Sequence, residues 1–192
     1  MPIHFWFPTA ISVEENIIPI DDIKKYSDQI LDLESSIQSG GKNWNTEISN
    51  SHGTYDMIHD GKFEDLISVV TNKINIFARE YGSDFSYQKP ESMWYNIYRK
   101  GDYQEYHTHT DSVFSAVFYV TSPENSGRII FENPIEPDMK PVKNIIKNNG
   151  LNFKTCHYTP DEGTLIIFRS YLRHMVEKCL NIEPRITIAF NY

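Results

Sequence analysis

The spacing of apolar residues changes near residue 90, from the period of an α-helix to the alternation of β-strands. Beyond that point, eight short segments are separated by turn sequences such as residues 100–102 and 160–163. A series of short strands favours an antiparallel double-sheet jelly roll, which leaves few exposed strand edges. The longest connection, residues 134–150, is expected to be either a lid or binding loop or a disordered linker. The predicted strands cover residues 93–99, 104–109, 113–121, 128–131, 153–158, 164–168, 174–177 and 185–192.

Two stretches before residue 90 carry apolar side chains at spacings of three and four residues. In the first stretch, residues 21–38, Ile23, Ile30 and Leu33 share one helical face. The second stretch, residues 63–81, repeats the pattern. An amphipathic face of this kind normally covers a core, so both helices are expected to pack against the sheets.

The chain has 192 residues, which suits one domain of ordinary size. Aromatic residues make up 14% of it, a share that favours a sheet-rich core. We therefore predict a mainly β fold with supporting helices in a single domain, residues 1–192. Within that domain, residues 1–90 are expected to form an N-terminal helical support and residues 91–192 the jelly-roll core.

The charge and cysteine content exclude several classes of protein. The 26 acidic residues outnumber the 18 basic ones and give a net charge of -8, which repels nucleic acid. The two cysteines have no CxxC spacing, which favours a reducing compartment, with a single disulfide as the alternative. No apolar run approaches the roughly 18 residues of a membrane span, and residues 1–8 do not read as a secretory signal. We expect a cytoplasmic protein that binds neither nucleic acid nor membranes.

The segment His107-Thr108-His109-Thr110-Asp111 carries the clearest chemical signal. Alternate residues of a strand point to the same face, so the two imidazoles converge on one point, either with or without the carboxylate. Such a group is suited to hold a metal ion. The alternative is a surface strand end with hydrogen-bonded polar side chains.

A second segment strengthens the metal interpretation. The sequence GTLIIFRSYLRHMV ends just after His174, and Arg185 follows that histidine by eleven residues. In this order, His109-x-Asp111, His174 and Arg185 resemble the pattern of the non-haem iron, 2-oxoglutarate-dependent oxygenase superfamily, in its prolyl-hydroxylase-like branch. The strands SAVFYV (115–120) and SGRIIF (126–131) also resemble strands of that family. The resemblance covers residues 92–192 and implies a double-stranded β-helix, the cupin-like form of the jelly roll.

The resemblance implies that His109, Asp111 and His174 hold Fe(II). Two imidazoles and one carboxylate form the facial triad of non-haem Fe(II) oxygenases, which leaves three coordination positions open. 2-Oxoglutarate occupies two of these positions in the implied chemistry, and O2 the third. His107 has three possible roles: it replaces His109 as the ligand, it orients a ligand or the substrate, or it is a solvated strand residue.

The same resemblance assigns the co-substrate contacts. Arg185 is expected to hold the far carboxylate of 2-oxoglutarate through a two-point contact, and Thr187 to add a hydroxyl donor. In the predicted strand 93–99, Tyr98 or Asn96 is the candidate for a further contact to the 2-oxoglutarate carboxylate. Core packing is the alternative for any aromatic residue. The alternative for Arg185 is an exposed residue at a strand start, paired with Glu183.

These expectations define a dioxygenase that depends on Fe(II), 2-oxoglutarate and O2. It is expected to hydroxylate a C–H bond of a small-molecule or peptide substrate, with release of succinate and CO2. The alternative is a non-catalytic jelly-roll module that binds a metal or ligand. A third possibility is a cupin-type metal enzyme without 2-oxoglutarate, which normally has more histidine ligands and no dedicated arginine.

Overall fold

The computed structural model describes residues 1–4, 6–40, 45–135, 140 and 142–192. It is mainly β, with the two predicted helices and all eight predicted strands, which confirms the predicted fold class. The helices are α1 (Ile20–Ser36) and α2 (Glu64–Glu80). The strands are β1 (Ile11–Glu14), β2 (Ser49–Asn50), β3 (Ser92–Tyr98), β4 (Gln104–His107), β5 (Phe114–Thr121), β6 (Ile129–Glu132), β7 (Thr155–Tyr158), β8 (Leu165–Arg169), β9 (His174–Val176) and β10 (Arg185–Asn191).

The strands form two antiparallel sheets. The larger sheet has the order β1-β8-β5-β10-β3-β2, and the smaller has the order β4-β9-β6-β7. Two strands of the larger sheet, β1 and β2, come from the first 90 residues and lie at its two ends. The sequence did not predict them, because segments of four and two residues are too short to show alternation.

Alternation divides the larger sheet into two chemically different faces. On β10, Ile186, Ile188 and Phe190 belong to a buried apolar cluster that also contains the inward faces of α1 and α2. The other face of the same strand presents Arg185 and Thr187 toward the smaller sheet, where both line a cavity. The helices therefore cover the wholly apolar face, and the polar residues of β10 on the other face line a site between the sheets.

A second apolar cluster lies between the two sheets and keeps them packed. It includes Phe131 from the smaller sheet and Phe168 from the larger one, with ring centroids 4.9 Å apart. Burial of each such side chain stabilises the fold by roughly 1.5–3 kcal/mol. His174 lies against this cluster, with its ring centroid 4.7 Å from that of Phe168. The apolar packing therefore supports the polar site directly.

Other expectations concern segments outside the sheets. No helix in the described ranges is long and apolar enough to cross a membrane. The predicted connection 134–150 contains residues 136–139 and 141, which lie outside the described residues, so its role as a lid or linker stays a prediction.

Candidate metal and co-substrate site

Three histidine side chains meet between the two sheets. His107 is the last residue of β4, His174 is the first of β9, and His109 follows β4 by two residues. One ligand atom from each lies within 4.8 Å of the other two. Among the described residues, this is the one such group of three or more His, Cys, Asp or Glu side chains. The group has the donor atoms and spacing to hold a metal ion.

The strand geometry explains why these side chains converge. His107 and His174 are directly opposite each other in the β4–β9 pair, and the register of that pair shifts between Gln104 and His107. An irregularity of this kind bends a strand and re-aims its side chains. The backbone N–H of His109 donates to the carbonyl of Ser170 (3.0 Å), which fixes the segment after β4 to the turn after β8.

Backbone carbonyls determine which ring nitrogen of His107 and of His174 is available to a metal ion. Nδ1 of His107 donates to the carbonyl of Glu105 (2.7 Å), and Nδ1 of His174 donates to that of Leu172 (2.9 Å). A carbonyl only accepts, so in the neutral imidazole Nδ1 carries the proton and Nε2 is left as a ligand atom. This is the outer hydrogen bond that metal-bound histidines make.

Burial keeps all three imidazoles uncharged. Loss of solvation lowers the pKa of His107, and it lowers the pKa of His174 well below the ordinary range. The pKa of His109 falls to about 4, chiefly through burial and secondarily through the neighbouring His107. Neutral imidazole is the form that binds a metal, so the site needs no deprotonation near neutral pH.

Asp111 does not join the three histidines. The strand alternation on which its prediction rests ends at His107, where β4 ends. The chain then turns, with the N–H of Ser112 donating to the carbonyl of His109 (3.4 Å), and the Asp111 side chain is exposed. Its role as the carboxylate ligand stays a prediction, and the place beside His109 and His174 is taken by His107.

A buried arginine lies in the same cavity as the histidines. The cavity has a volume of about 260 Å³, and Arg185 is only 1% exposed. Nη1 of Arg185 donates to the carbonyl of Gly127 (2.9 Å), whereas Nε and Nη2 have no hydrogen-bond partner in the described part of the chain. Two unpartnered donors of one guanidinium suit a carboxylate, which binds such a fork at two points.

Aromatic residues hold this guanidinium in place. The Arg185 guanidinium lies 4.1 Å from the centroid of the Tyr98 ring, a favourable cation–π distance. The Tyr98 hydroxyl donates to Oε1 of Gln104. Burial raises the pKa of Tyr98 and raises the pKa of Tyr119 to about 12. Both phenols are therefore uncharged near neutral pH.

The structure brings most of the predicted site residues to one cavity. Six of them line it: His109, His174, Arg185, Thr187, Tyr98 and Asn96. The sequence analysis left His107 ambiguous and did not select Gln104, Tyr119, Trp94 or His52, which also line the cavity. The sequence signal for Tyr119 is alternation within the predicted strand 113–121, which puts it on the face opposite to Phe118 and Val120; in the structure it lies opposite Thr187.

The residues present suit Fe(II) and 2-oxoglutarate. Imidazole is an ordinary ligand of iron, and the three imidazole nitrogens are close enough together to share one ion. The buried and partly unpartnered Arg185 guanidinium suits the distal carboxylate of the keto acid.

Sequence comparison identifies the family. Residues 92–191 match the family described as "Putative 2OG-Fe(II) oxygenase". This match covers more than half of the chain, and the chain belongs to that family of 2-oxoglutarate- and Fe(II)-dependent oxygenases. The resemblance inferred from the motifs is thereby confirmed. No curated protein sequence matches the chain.

Solved structures share the fold at low sequence identity. A Pseudomonas putida prolyl-4-hydroxylase is 15% identical, with a TM-score of 0.64 over 96% of this chain and 94% of that one. A Trichoplax adhaerens prolyl hydroxylase, in complex with a hypoxia-inducible factor peptide, is 13% identical, with a TM-score of 0.62 over 94% and 82%. HygX from Streptomyces hygroscopicus, with nickel and 2-oxoglutarate bound, is 11% identical, with a TM-score of 0.63 over 95% and 81%. These likenesses support the double-stranded β-helix.

Proposed function

We propose that this oxygenase binds Fe(II) through His107, His109 and His174, binds 2-oxoglutarate through Arg185, and hydroxylates a C–H bond of a small molecule or peptide. The observation that carries the proposal is the Arg185 guanidinium. It is buried with two unpartnered nitrogens in the cavity that the three histidines also line. A metal-binding module without a keto acid has no use for such a group.

The proposed ligand set differs from the predicted one in its charge. His107 takes the place that was predicted for Asp111, so all three ligands are neutral. One carboxylate of 2-oxoglutarate would then offset part of the charge of the divalent ion, because the other carboxylate pairs with Arg185 and the three protein ligands carry no charge. Binding of the keto acid is therefore expected to depend strongly on the metal.

The remaining cavity residues orient the co-substrate. The Arg185 fork would fix one carboxylate, and Thr187 and Tyr119, which are partners in the β10–β5 register, are proposed to donate to the same group. Asn96 lies opposite Thr187 on β3 and completes this polar wall. The Tyr98–Gln104 hydrogen bond holds the ring against which the guanidinium packs.

When bound, Fe(II) would supply, with 2-oxoglutarate and O2, the oxidising chemistry that hydroxylates an unactivated C–H bond, with succinate and CO2 as the other products. The protein's part is to keep the imidazoles neutral and to hold the keto acid at a fixed angle.

The substrate is proposed to reach the site from the side of Trp94 and His52. Their rings are in edge contact, with centroids 4.9 Å apart, and Trp94 lies 5.9 Å from His109 by the same measure. His52 is exposed, whereas Trp94 is only 8% exposed. A cavity of about 260 Å³ is small for a co-substrate and a whole second ligand. A side chain or other small group is therefore the proposed target.

The cytoplasm is the proposed location. Both cysteines are free, Cys156 exposed and Cys179 buried, which suits a reducing compartment.

An anaerobic titration tests the proposed function. Fe(II) and then 2-oxoglutarate are added to metal-free protein, and the visible absorption band of the Fe(II)–keto acid chelate is recorded. We expect one Fe(II) per chain and a band that needs both additions. O2 is then admitted with peptide or metabolite pools, and products are sought that have gained one oxygen atom. Absence of the band would contradict the proposal, and a band without succinate formation would favour the non-catalytic module.

A further inference from the structure

A chain of buried polar side chains leads from the larger sheet to His109. Ser115, Ser170 and Asn191 are 2%, 0% and 8% exposed. The Ser115 hydroxyl donates to Oδ1 of Asn191 (2.8 Å) and contacts the Ser170 hydroxyl (2.8 Å). Nδ2 of Asn191 faces Nδ1 of His109 at 3.5 Å. Because Ser115 has one hydroxyl proton and gives it to Asn191, Ser170 must donate to Ser115.

Three adjacent strands build this chain. Asn191 is opposite Ser115 in the β10–β5 pair. Ser170 follows β8, and its N–H donates to the carbonyl of Val113 just before β5. Buried hydroxyl and amide groups cost free energy unless each finds a partner. Here these groups form hydrogen bonds with one another, and this chain of polar side chains ends at His109, a histidine of the proposed metal site.

Nδ1 of His109 faces a side-chain amide, whereas Nδ1 of His107 and Nδ1 of His174 each face a backbone carbonyl. A carbonyl forces the proton onto Nδ1, as in His107 and His174, and leaves Nε2 as the ligand atom. The side-chain amide of Asn191 has no such preference, because it presents either an acceptor oxygen or a donor NH2 group. The tautomer of His109 therefore depends on which end of the amide faces it.

The hydrogen bonds of the polar chain can run in two directions. With the NH2 group toward His109, Nδ1 accepts and Nε2 carries the proton. With the amide rotated by half a turn, Oδ1 accepts a proton from Nδ1, the NH2 group donates to Ser115, and Ser115 donates to Ser170. After the rotation every member of the polar chain keeps a hydrogen-bond partner, but the Ser170 hydroxyl accepts from Ser115 instead of donating to it, so its own proton is turned away from Ser115. Only the second direction leaves Nε2 of His109 free to bind a metal.

We propose that Asn191 is a positioning residue whose amide, oriented by two buried serines, accepts the Nδ1 proton of His109 in the metal-bound protein. This inference rests on the proposed ligand set. It assigns to Asn191 the role that backbone carbonyls have for the other two histidines. Reversal of the polar chain accompanies metal binding.

Metal affinity of Asn191 variants tests the role. Anaerobic calorimetry with Fe(II), or with Mn(II) as a stable substitute, is done on the wild type, Asn191→Leu and Asn191→Asp. Loss of an outer partner of a ligand typically weakens metal binding about 10- to 100-fold, and we expect this for Asn191→Leu. Asn191→Asp should bind at least as tightly as the wild type, because a carboxylate only accepts and enforces the proton on Nδ1. Equal affinity of the wild type and Asn191→Leu, or equal losses in both variants, would overturn the inference.

A matched control separates positioning from general destabilisation. Thr71 is also buried, at 7% exposed, and bonds to the Tyr192 hydroxyl (2.8 Å), but it does not line the cavity. Thr71→Val removes a buried hydrogen bond of similar kind, and we expect it to lower the urea midpoint without changing metal affinity. Ser115→Ala leaves the rotated NH2 group without its acceptor and should weaken metal binding by a smaller factor than Asn191→Leu.

The imidazole tautomer gives a readout that does not depend on affinity. In protein labelled with 15N-histidine and loaded with diamagnetic Zn(II), the His109 resonances should show a protonated Nδ1 and a metal-bound Nε2. Metal bound through Nδ1 of His109 would overturn the inference. If the wild type binds no metal, the proposed function itself fails, whereas normal binding with an unaffected Asn191→Leu variant contradicts only the role of Asn191.

Discussion

His107 and His174 lie directly opposite each other on β4 and β9, with ring centroids 4.2 Å apart. Each donates its Nδ1 proton to the carbonyl of the residue two positions earlier, Glu105 and Leu172 respectively. The same local contact therefore orients both rings. This repeated arrangement is the reason to regard His107 as a ligand equivalent to His174.

The metal ligands are testable by paired substitutions. His107→Gln should weaken Fe(II) binding by more than the roughly 10- to 100-fold that loss of an outer partner costs, because it removes a proposed ligand. Asp111→Asn is the matched control and should leave the affinity unchanged, since the Asp111 side chain is exposed. Calorimetric titration under argon measures both. The opposite ranking would restore the carboxylate triad predicted from the sequence.

The cavity residues on β3 and β10 could be predicted from the sequence, because side chains alternate regularly between the two faces of these strands. On β10, Arg185 and Thr187 belong to one face, and Tyr98 and Asn96 lie opposite them on β3. All four line the cavity. Side chains alternate between the two faces in every strand of an antiparallel sheet. Residues that the alternation assigns to one face of β3 and of β10 therefore lie next to one another.

The position of Asp111 relative to the histidines could not be predicted in the same way. Extending the strand to residue 111 requires alternation to continue past His107, but β4 ends there and the chain turns. A strand end depends on pairing with other strands, and β9 pairs with β4 only over Gln104–His107. The buried chain of Ser115, Ser170 and Asn191 was hidden for a similar reason, because its contacts join three separate strands.

Arg185 should control the affinity for 2-oxoglutarate but not for the metal. Removing one partner of a buried charged pair typically costs about 2–5 kcal/mol, or roughly thirty-fold or more in affinity. Arg185→Ala should therefore raise the 2-oxoglutarate concentration needed for half-maximal succinate release by that factor. Arg185→Lys should recover only part of it, because an ammonium group cannot form the two-point contact.

A surface arginine provides the control for this experiment. Arg173 pairs with Glu132 (2.7 Å), and its side chain is 52% exposed. Arg173→Ala removes the same charge from the chain without touching the cavity, so its half-saturation should equal that of the wild type. An unchanged value in Arg185→Ala would mean that another basic residue holds the keto acid.

The metal-free protein should lose stability as the pH falls from about 6.5 toward 4. The pKa of His109 is about 4 in the folded protein, against an ordinary value of 6.5. The unfolded chain therefore takes up the proton first as the pH falls, and the free energy of unfolding decreases over that interval. The contribution of this residue is at most about 3 kcal/mol. Urea midpoints of metal-free protein across this range measure the effect.

Two variants identify the histidines responsible. His109→Gln removes one buried imidazole, so its urea midpoint should depend less on pH than that of the wild type. His4 is exposed, and His4→Gln should keep the wild-type dependence. Equal pH dependence in all three proteins would show that the buried histidines do not govern acid stability.

Gly127 links backbone conformation to the position of Arg185. Its carbonyl accepts from Nη1 of Arg185, and its φ is +90°. A Cβ at this position lies 2.4 Å from the carbonyl oxygen of Glu177, a backbone atom that cannot move aside easily. Gly53 also has positive φ, +72°, but nothing lies within 4 Å of its Cβ position.

Substitution of either glycine by alanine carries the left-handed backbone cost of about 1–2 kcal/mol, and only Gly127→Ala adds the clash with the Glu177 carbonyl. We therefore expect Gly127→Ala to lower the urea midpoint more than Gly53→Ala and, alone of the two, to raise the half-saturating 2-oxoglutarate concentration. If both variants keep wild-type half-saturation, the Gly127 carbonyl does not position the guanidinium.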